Sequence, residues 1–441
     1  MIFAAFALLC LPLGAAAQSD AVDAPSDSTS LAPTAEPPWN PARPVPANLP
    51  WEAVLRAPGR LVSLPISALG QLTRQSFIVI EERNVVPRVL FAFALLPSAD
   101  LTLSPASLGD RTGLGGRIAW NPGFLAHHLQ ADYSGTTRNY NRTHVALTSE
   151  RARLEFVREW RPQERTYGLG MTSSGRDTAS YSASVGGLHF VVSGAARPAG
   201  LGAAHLAVSG WVGVEDVSVR NGREADVTPL DVQFPEYVLA PPDARGFTTV
   251  GGRVQLDSRA GAPHWSRGGR LRVEASVHEP MNLSDYGVLD GADVGARFTR
   301  YSAEAEAGVS FWRDPRTFRL LLHATHLDSR ATTFELPLTA LSILGGGLGL
   351  AGFEAGRFRD RDRVLGRLTY LFPLAEHFEM DLHVESGGVF PDLNDSLRLD
   401  ELEVSYGVLL RPRLKTAAIG AFGVEWSHEK VRIRYSLGMV E

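Results

Sequence analysis

The sequence predicts an all-β protein, a transmembrane antiparallel β-barrel of about sixteen strands preceded by a short N-terminal helical segment. Three observations support this fold class. From about residue 112 to the end, apolar and polar residues alternate with a period of two over long runs. The chain starts with a short apolar segment typical of export signals, and its only cysteine, Cys10, lies there. After residue 20 there is no run of about twenty apolar residues, so we expect no membrane-spanning helix.

The first segment has the features of a secretory signal peptide. Residues 2–13 are mostly apolar, and three alanines precede Gln18, which predicts cleavage after Ala17. No Lys or Arg precedes the apolar run, which leaves the true start codon open. Two leucines precede Cys10 where a lipoprotein signal needs small residues, so we do not expect lipid attachment there. Residues 1–17 are therefore predicted to be a signal peptide, and the mature chain has no disulfide.

Two segments separate this signal from the predicted barrel. Residues 18–50 are mainly Ala, Pro, Ser and Asp, a composition that predicts a disordered linker. Residues 51–97 have apolar residues at helical spacing, broken by prolines, and predict a short amphipathic helical segment in the periplasm. Residues 98–441 are the predicted barrel, which places the protein in a Gram-negative outer membrane with its N-terminus in the periplasm.

The length and chemistry of the alternating runs favour a membrane barrel over a soluble β-sandwich. In residues 271–278 every odd position is apolar and every even one polar, and residues 301–311, 378–385 and 431–439 repeat the pattern. Sandwich strands usually span about 5–6 residues, whereas these runs span about 9–14, close to what a tilted strand needs to cross a bilayer. The polar positions carry many Glu, Arg, Asp and His residues, which suit a wet lumen.

Sixteen strands can be placed from residue 112 onward, and an even number is expected of a bacterial barrel. The predicted strand centres are residues 115, 128, 143, 155, 167, 187, 209, 252, 273, 302, 322, 368, 382, 407, 421 and 434. The long connections 218–245, 280–292 and 330–361 each follow an odd-numbered strand. We therefore expect all three on the extracellular side.

Composition and motifs argue against several other classes. A net charge of -5 disfavours a nucleic-acid binder. His127, His128, His323 and His326 have no Ser and acid in a recognisable local motif, and lumen histidines are more often hydrogen-bonded fillers. We predict that the chain is not an enzyme and has no metal site or cofactor.

Two segments carry a resemblance to a known family. Leu350, Ala351, Gly352 and Phe353, followed by Arg357 and Arg359, resemble a lumen-loop motif, and residues 384–390, with Glu385 and Gly387, resemble its barrel-wall motif. Residues 167–170 with Tyr181, residues 254–271 and the leader 51–88 add weaker matches. Together they resemble the outer-membrane assembly superfamily (bacterial surface antigen, BamA/TamA-like), in a short form that lacks the periplasmic POTRA repeats. The resemblance covers about residues 51–441.

The resemblance implies that the 330–361 loop folds back into the lumen and docks on the wall through an arginine–aspartate contact. Here Ala351 stands in place of that arginine and Glu385 in place of the aspartate. We hypothesise that Arg357 or Arg359 supplies the guanidinium instead. The alternative is a solvated loop of mixed charge, with Glu385 an ordinary lumen residue.

The resemblance further implies a role in inserting or translocating proteins at the outer membrane. Unfolded barrels or secreted proteins would be the clients, outer-membrane lipids would surround the barrel, and the barrel-assembly machinery would act in its biogenesis. Such a role needs a weak lateral seam, which we expect at Gly113, Gly115 and Gly116 in the first strand and at Val431, Ile433 and Tyr435 in the last. Two alternatives stay open: a passive or gated pore for solutes or lipids with the 330–361 loop as plug, and a structural or surface-interaction barrel.

Overall fold

The computed structural model describes residues 101–106, 108, 112–113, 115–122, 128–197, 204–237, 245–259, 267–281, 296–310, 316–375, 378–412 and 418–440. The predicted signal peptide (1–17), linker (18–50) and helical segment (51–97) lie outside the described residues, and so does His127. In the part of the chain that is described, no helix is long and apolar enough to cross a membrane.

Within the described residues, sixteen strands form one antiparallel sheet in which each strand pairs with its neighbours in chain order. They are β1 (Leu101–Ala106), β2 (Gly115–Trp120), β3 (His128–Thr136), β4 (Asn141–Thr148), β5 (Ala152–Thr166), β6 (Ala179–Ala196), β7 (His205–Asn221), β8 (Arg245–Asp257), β9 (Gly268–Pro280), β10 (Phe298–Ser310), β11 (Thr317–Asp328), β12 (Asp362–Ala375), β13 (Phe378–Phe390), β14 (Glu403–Pro412), β15 (Ala418–Trp426) and β16 (Val431–Val440). Cα atoms of β1 and β16 come within 8 Å of each other, so the two ends of the sheet meet as in a barrel.

The two faces of the sheet differ as the alternation predicts. Val273 of β9 lies opposite Val254 of β8 and is 44% exposed, on the outer face. Its neighbour Glu274 points the other way, where its carboxylate accepts a hydrogen bond of 2.9 Å from Nε of Arg253. The outer face is therefore apolar and the lumen is lined with charges that pair across strands, as a transmembrane barrel requires.

The predicted number of strands is confirmed, but one observed strand was missed and one predicted strand is wrong. β1 precedes the first predicted strand and was missed because it is only six residues long and contains Pro105. Residue 167, a predicted strand centre, lies in a loop instead. Gly168 and Gly170 have φ values of 95° and 77°, a left-handed backbone that ends β5 at Thr166.

The long loops all follow odd-numbered strands and therefore emerge at one end of the sheet. They span residues 167–178, 222–244, 281–297, 329–361 and 391–402. Their short described elements are the strands Thr228–Pro229, Ser342–Leu344 and Phe358–Asp360, the α-helices Leu230–Gln233 and Leu393–Ser396, and the 3-10 helices Thr333–Glu335, Gly346–Leu348 and Leu399–Glu401.

Candidate functional site: the loop–wall contact

The 330–361 loop is packed inside the barrel rather than spread over its rim. Ser342–Leu344 pairs antiparallel with Phe358–Asp360, which makes the loop a hairpin with its own backbone hydrogen bonds. Leu350, Ala351 and Phe353 are 0% exposed. The loop therefore has a fixed conformation, stabilised by apolar burial as well as by hydrogen bonds.

An apolar cluster holds the loop against the wall of the barrel. The cluster contains Leu365 of β12 and four loop residues, Leu344, Leu350, Phe353 and Phe358. Val389 of β13 is buried with them, and Met171 of the 167–178 loop packs against the group. The rings of Phe353 and Phe358 meet edge to face, with centroids 5.1 Å apart.

The loop tip, residues 349–354, makes a tight turn that needs glycine at two positions. Gly349 has φ of 113°, and a Cβ there would lie 2.5 Å from a methyl group of Leu365. A Cβ on Gly352 would lie 2.4 Å from the carbonyl group of Trp426 at the end of β15. Backbone therefore lies directly on backbone at this point, and no side chain fits between the tip and β15.

Glu385 of β13 is the wall residue that the tip contacts. Its Oε2 accepts a hydrogen bond of 2.6 Å from the backbone N–H of Ala351 and one of 2.9 Å from Oγ of Ser405. Its Oε1 accepts a hydrogen bond of 2.6 Å from Nε of Arg367, which lies directly opposite on β12. Glu385 is 0% exposed. A carboxylate that is out of contact with water needs such partners, and here one of them is the loop backbone.

The hypothesis that Arg357 or Arg359 replaces the family's loop arginine is wrong. Arg357 donates to Glu429 (2.9 Å) and to Oγ of Ser173 (2.8 Å). Arg359 donates to the hydroxyl of Tyr181 (2.7 Å) and to a loop carbonyl. The guanidinium beside Glu385 comes from the wall itself, so the loop needs only a backbone N–H.

The alternative, a solvated loop with an ordinary lumen glutamate, also fails. Arg357 and Arg359 are 5% and 1% exposed, respectively. The guanidinium of Arg357 lies 4.7 Å from the ring centroid of Phe358, and that of Arg359 lies 5.4 Å from the ring of Tyr181. Both arginines are therefore part of the packed interior.

Gly387 lies two residues after Glu385 on the same strand and faces the same side. A Cβ there would lie 2.6 Å from the carbonyl oxygen of Val364 on β12. The glycine therefore allows β12 and β13 to approach closely beneath the loop.

The tip also binds the last hairpin, which consists of β15, β16 and the turn 427–430. Arg432 of β16 donates to the carbonyl oxygen of Ala351 at 2.9 Å and to that of Phe353. Oγ of Ser427 donates to the carbonyl oxygen of Gly352 at 3.1 Å. Three consecutive carbonyl groups of the tip thus accept hydrogen bonds from the last hairpin.

Ion pairs extend this contact. Lys430 pairs with Glu354, and the guanidinium of Arg357 pairs with Glu429 at 2.9 Å. Arg367, Ser427 and Arg432 lie outside the motifs that the sequence offers for this contact. Only the pairing of Arg367 with Glu385 across adjacent strands could have signalled one of them.

The 167–178 loop supports the other side of the 330–361 loop. The N–H of Gly170 donates to the carbonyl oxygen of Arg359 at 2.9 Å, and the carbonyl oxygen of Ser173 accepts from Arg357 at 2.7 Å. The 167–178 loop, where a strand centred on residue 167 was predicted, thus stabilises the 330–361 loop through backbone hydrogen bonds.

The predicted seam residues are placed on different strands than expected. Gly115 and Gly116 lie on β2, opposite Ala106 and Pro105, and Gly113 precedes β2. They are therefore not on the first strand, which is β1. With β1 as the first described strand, the N-terminal side of the predicted seam would be Leu101–Ala106.

Val431, Ile433 and Tyr435 do lie on the last strand, with side chains 63–71% exposed on the outer face. Their partners on β15 are less exposed, with Val424 at 38% and Phe422 at 58%. Although β16 approaches β1, the described residues show no pairing register between them.

One group has the chemistry of a metal site. Ligand atoms of His326, Asp362 and Asp392 lie within 4.8 Å of one another. Asp362 already accepts from Nδ1 of His326 (2.7 Å) and from the N–H groups of Leu327 and Leu393 (2.8 Å each). These bonds occupy both carboxylate oxygens and tie β11, β12 and the 391–402 loop together, so we interpret the group as structural.

No family model and no curated protein matches the sequence. Among solved structures, BamA from Haemophilus ducreyi lacking POTRA domains 1-3 matches with a TM-score of 0.51 and 12% identity, over 78% of this chain and 70% of that one. CdiB from Escherichia coli matches at 0.48 and 13%, over 76% and 60%, and CdiB from Acinetobacter baumannii at 0.43 and 10%, over 77% and 64%. The chain thus has the fold of the BamA barrel, as its sequence motifs predict.

Proposed function

We propose that this chain is an outer-membrane barrel of the BamA/TamA-like superfamily that assists the insertion or translocation of proteins. Its fold supports this proposal, and so do the loop and wall motifs. In this proposal the boundary between β1 and β16 is where a client strand enters. The loop tip controls how firmly β16 is held.

The hydrogen bonds between the loop tip and β16 are the main support for the proposal. Arg432 of β16 donates to two tip carbonyls, while the same tip is anchored to Glu385 on β13, three strands away in the sheet. A strand edge with unpaired N–H and C=O groups templates the addition of another strand. Release of the tip would free the hairpin that borders this edge, and docking would hold it in place.

The remaining partners follow from the same proposal. The exposed apolar outer face would contact outer-membrane lipids, and the barrel would reach the membrane through the barrel-assembly machinery.

Reconstitution of the purified barrel in liposomes tests the proposal. We expect it to accelerate the folding of a second, unfolded barrel added from urea, measured by the gel shift of the folded form. Barrel-free liposomes and heat-unfolded protein are the controls. If the wild-type barrel gives no acceleration, the proposal is wrong.

A reducible cross-link across the tip contact tests the role of the loop. Glu354→Cys with Lys430→Cys replaces an ion pair of two long side chains, so a short bifunctional methanethiosulfonate reagent is used to bridge the two thiols. Cys10, the only native cysteine, lies in the predicted signal peptide. Cross-linking should slow client folding to the barrel-free rate, and reduction should restore it. Full activity of the cross-linked form, with either single variant as control, would rule out release of the tip as a step.

A passive or gated pore is the second candidate. A cavity of about 450 Å³ lies in the lumen beside residues 337–340 of the loop, and it is lined by charged residues of β5 to β10. Solute flux through the reconstituted barrel without acceleration of client folding would favour the pore.

A further inference from the structure

A second lumen cavity, of about 270 Å³, lies between the 330–361 loop and the wall formed by β9 to β12. Three arginines line it, Arg272 of β9, Arg300 of β10 and Arg363 of β12, together with His323 of β11. Residues 341–343 of the loop close the remaining side. We call this space the arginine cavity.

Two of these arginines have no carboxylate partner in the described part of the chain. Arg300 donates to the carbonyl oxygen of Ala340, and Arg363 donates to that of Ile343 at 3.0 Å. Nη2 of Arg363 also lies 3.5 Å from Nε2 of His323. The Nε groups of both arginines are buried and have no hydrogen-bond partner among the described residues. Each guanidinium thus retains an unused donor and lacks an ion-pair partner among the described residues.

The acids that line the cavity are already engaged by other arginines. Glu274 accepts from Arg253 and Arg272, each at 2.9 Å. Glu304 accepts from Arg270 at 2.6 Å. Neither acid forms an ion pair with Arg300 or Arg363, so positive charge is in excess around the cavity.

We propose that the arginine cavity binds an oxyanion of the phosphate class, with Arg300 and Arg363 as its main ligands. A partly buried guanidinium without an ion-pair partner carries a desolvation cost, and an anion between Arg300 and Arg363 would offset it. The guanidinium fork matches the oxygens of phosphate. The volume suits a free phosphate ion or the phosphate of a small solute and is below that of most drug-sized pockets, about 300–1,000 Å³.

Binding would be linked to docking of the loop. Arg300 and Arg363 hydrogen-bond both sides of the Leu341–Ile343 segment through Ala340 and Ile343. An anion that orders these side chains would therefore stabilise the docked loop by mass action. This inference does not depend on the proposed function in protein assembly.

The test is a direct titration of the purified barrel in detergent. Inorganic phosphate and glycerol phosphate are added separately at constant ionic strength, with sodium chloride as reference. Binding is followed by broadening of the ³¹P resonance and by the unfolding temperature. We expect saturable broadening and a rise in unfolding temperature, which chloride does not reproduce. Broadening by glycerol phosphate alone would assign the site to a phosphorylated solute, and broadening by both would assign it to the phosphate group itself.

Variants locate the site. Arg300→Gln with Arg363→Gln should weaken binding at least tenfold, whereas Arg300→Lys with Arg363→Lys, which keeps both charges, should weaken it less. Arg153→Gln is the matched control, because Arg153 is a lumen arginine that is ion-paired with Glu155 and lies outside this cavity. No saturable binding to the wild-type barrel, or equal loss in the Arg153 variant, would overturn the proposal.

Discussion

Glu385 is the residue on which the loop–wall contact depends most. It is out of contact with solvent and accepts hydrogen bonds from Arg367, Ser405 and the N–H of Ala351. Glu385→Ala would leave the Arg367 charge without its partner and the tip N–H without an acceptor. Loss of one member of a buried pair typically costs about 3–5 kcal/mol. We expect a clear fall in the unfolding temperature of the barrel, measured in detergent by heat-modifiability on gels.

Glu155→Ala is the control for this variant. Glu155 is also an ion-paired lumen glutamate, but its side chain is 25% exposed and does not contact the loop tip. Partly exposed pairs contribute about 0–1 kcal/mol, so this variant should melt close to the wild type. If Glu385→Ala melts there too, Glu385 does not lock the loop.

Asp360 in the loop predicts a dependence of stability on pH. Burial raises the pKa of its carboxyl from 3.8 to about 6, and the nearby Asp362 charge adds to this effect. The folded protein therefore binds more protons than the unfolded chain between these two values. Stability from this group is greatest below pH 3.8 and falls as the pH rises to about 6.

Asp360→Asn should remove the free-energy cost of ionising this buried carboxyl in the folded protein. An amide oxygen can still accept the hydrogen bond of 2.8 Å from the N–H of Arg361. At pH 7.5 the variant should unfold at a higher temperature than the wild type, with a gain of about 1–3 kcal/mol. The difference should shrink as the pH falls towards 4. A difference that is the same at pH 4 and pH 7.5 would contradict the raised pKa.

Two of the residues in the loop–wall contact could be predicted from the sequence, and two could not. Glu385 and the tip residue Ala351 could be predicted because each lies within a contiguous motif, and the structure brings them together. Arg367 and Arg432 could not, because their roles come from strand pairing and from a contact between segments some 80 residues apart. A backbone donor such as the Ala351 N–H leaves no residue type to recognise.

The loop tip packs so closely against β15 that a side chain added at Gly352 would not fit between them. Gly352→Val would place a side chain 2.4 Å from the backbone of Trp426, which cannot move without breaking β15. We expect the tip to undock and expose Arg357 and Arg359, which are buried when the loop is docked. Limited trypsin digestion followed by mass spectrometry would detect cleavage after these arginines.

The same substitution at Gly194 is the matched control. Gly194 lies on β6, and no atom comes within 4 Å of a Cβ built there. Gly194→Val should resist trypsin like the wild type. If Gly352→Val is equally resistant, the tip tolerates displacement from β15.

The strands were the most predictable elements, because alternation reports directly on two faces of different polarity. The errors arose where that signal is short or interrupted. β1 has only six residues, and the left-handed glycines after Thr166 convert an apparently regular stretch into a loop. Val431, Ile433 and Tyr435 do lie on the last described strand, whereas the missed β1 places Gly115 and Gly116 on β2.

For the whole molecule, the 330–361 loop determines whether a barrel of this size encloses open water. Barrels of 16–18 strands leave an aqueous channel unless something fills it. Here the loop lies within the lumen, with Leu336, Leu338 and Leu341 buried against Tyr181 and Phe298 of the wall. Replacing residues 330–361 with a short glycine–serine linker should therefore open a channel.

The measurement is single-channel conductance in planar bilayers. The wild-type barrel should show low and variable conductance, and the loop deletion should show a large, stable one. The control is a variant with glycines at residues 398–401, a segment that includes the exposed Leu399. It leaves the 330–361 loop intact and should leave conductance unchanged. The fifteen adjacent strand pairs from β1 to β16 in the described residues hold their own hydrogen bonds, so the deletion variant should still fold. An unchanged conductance in a folded deletion variant would mean that the wall, and not the loop, closes the lumen.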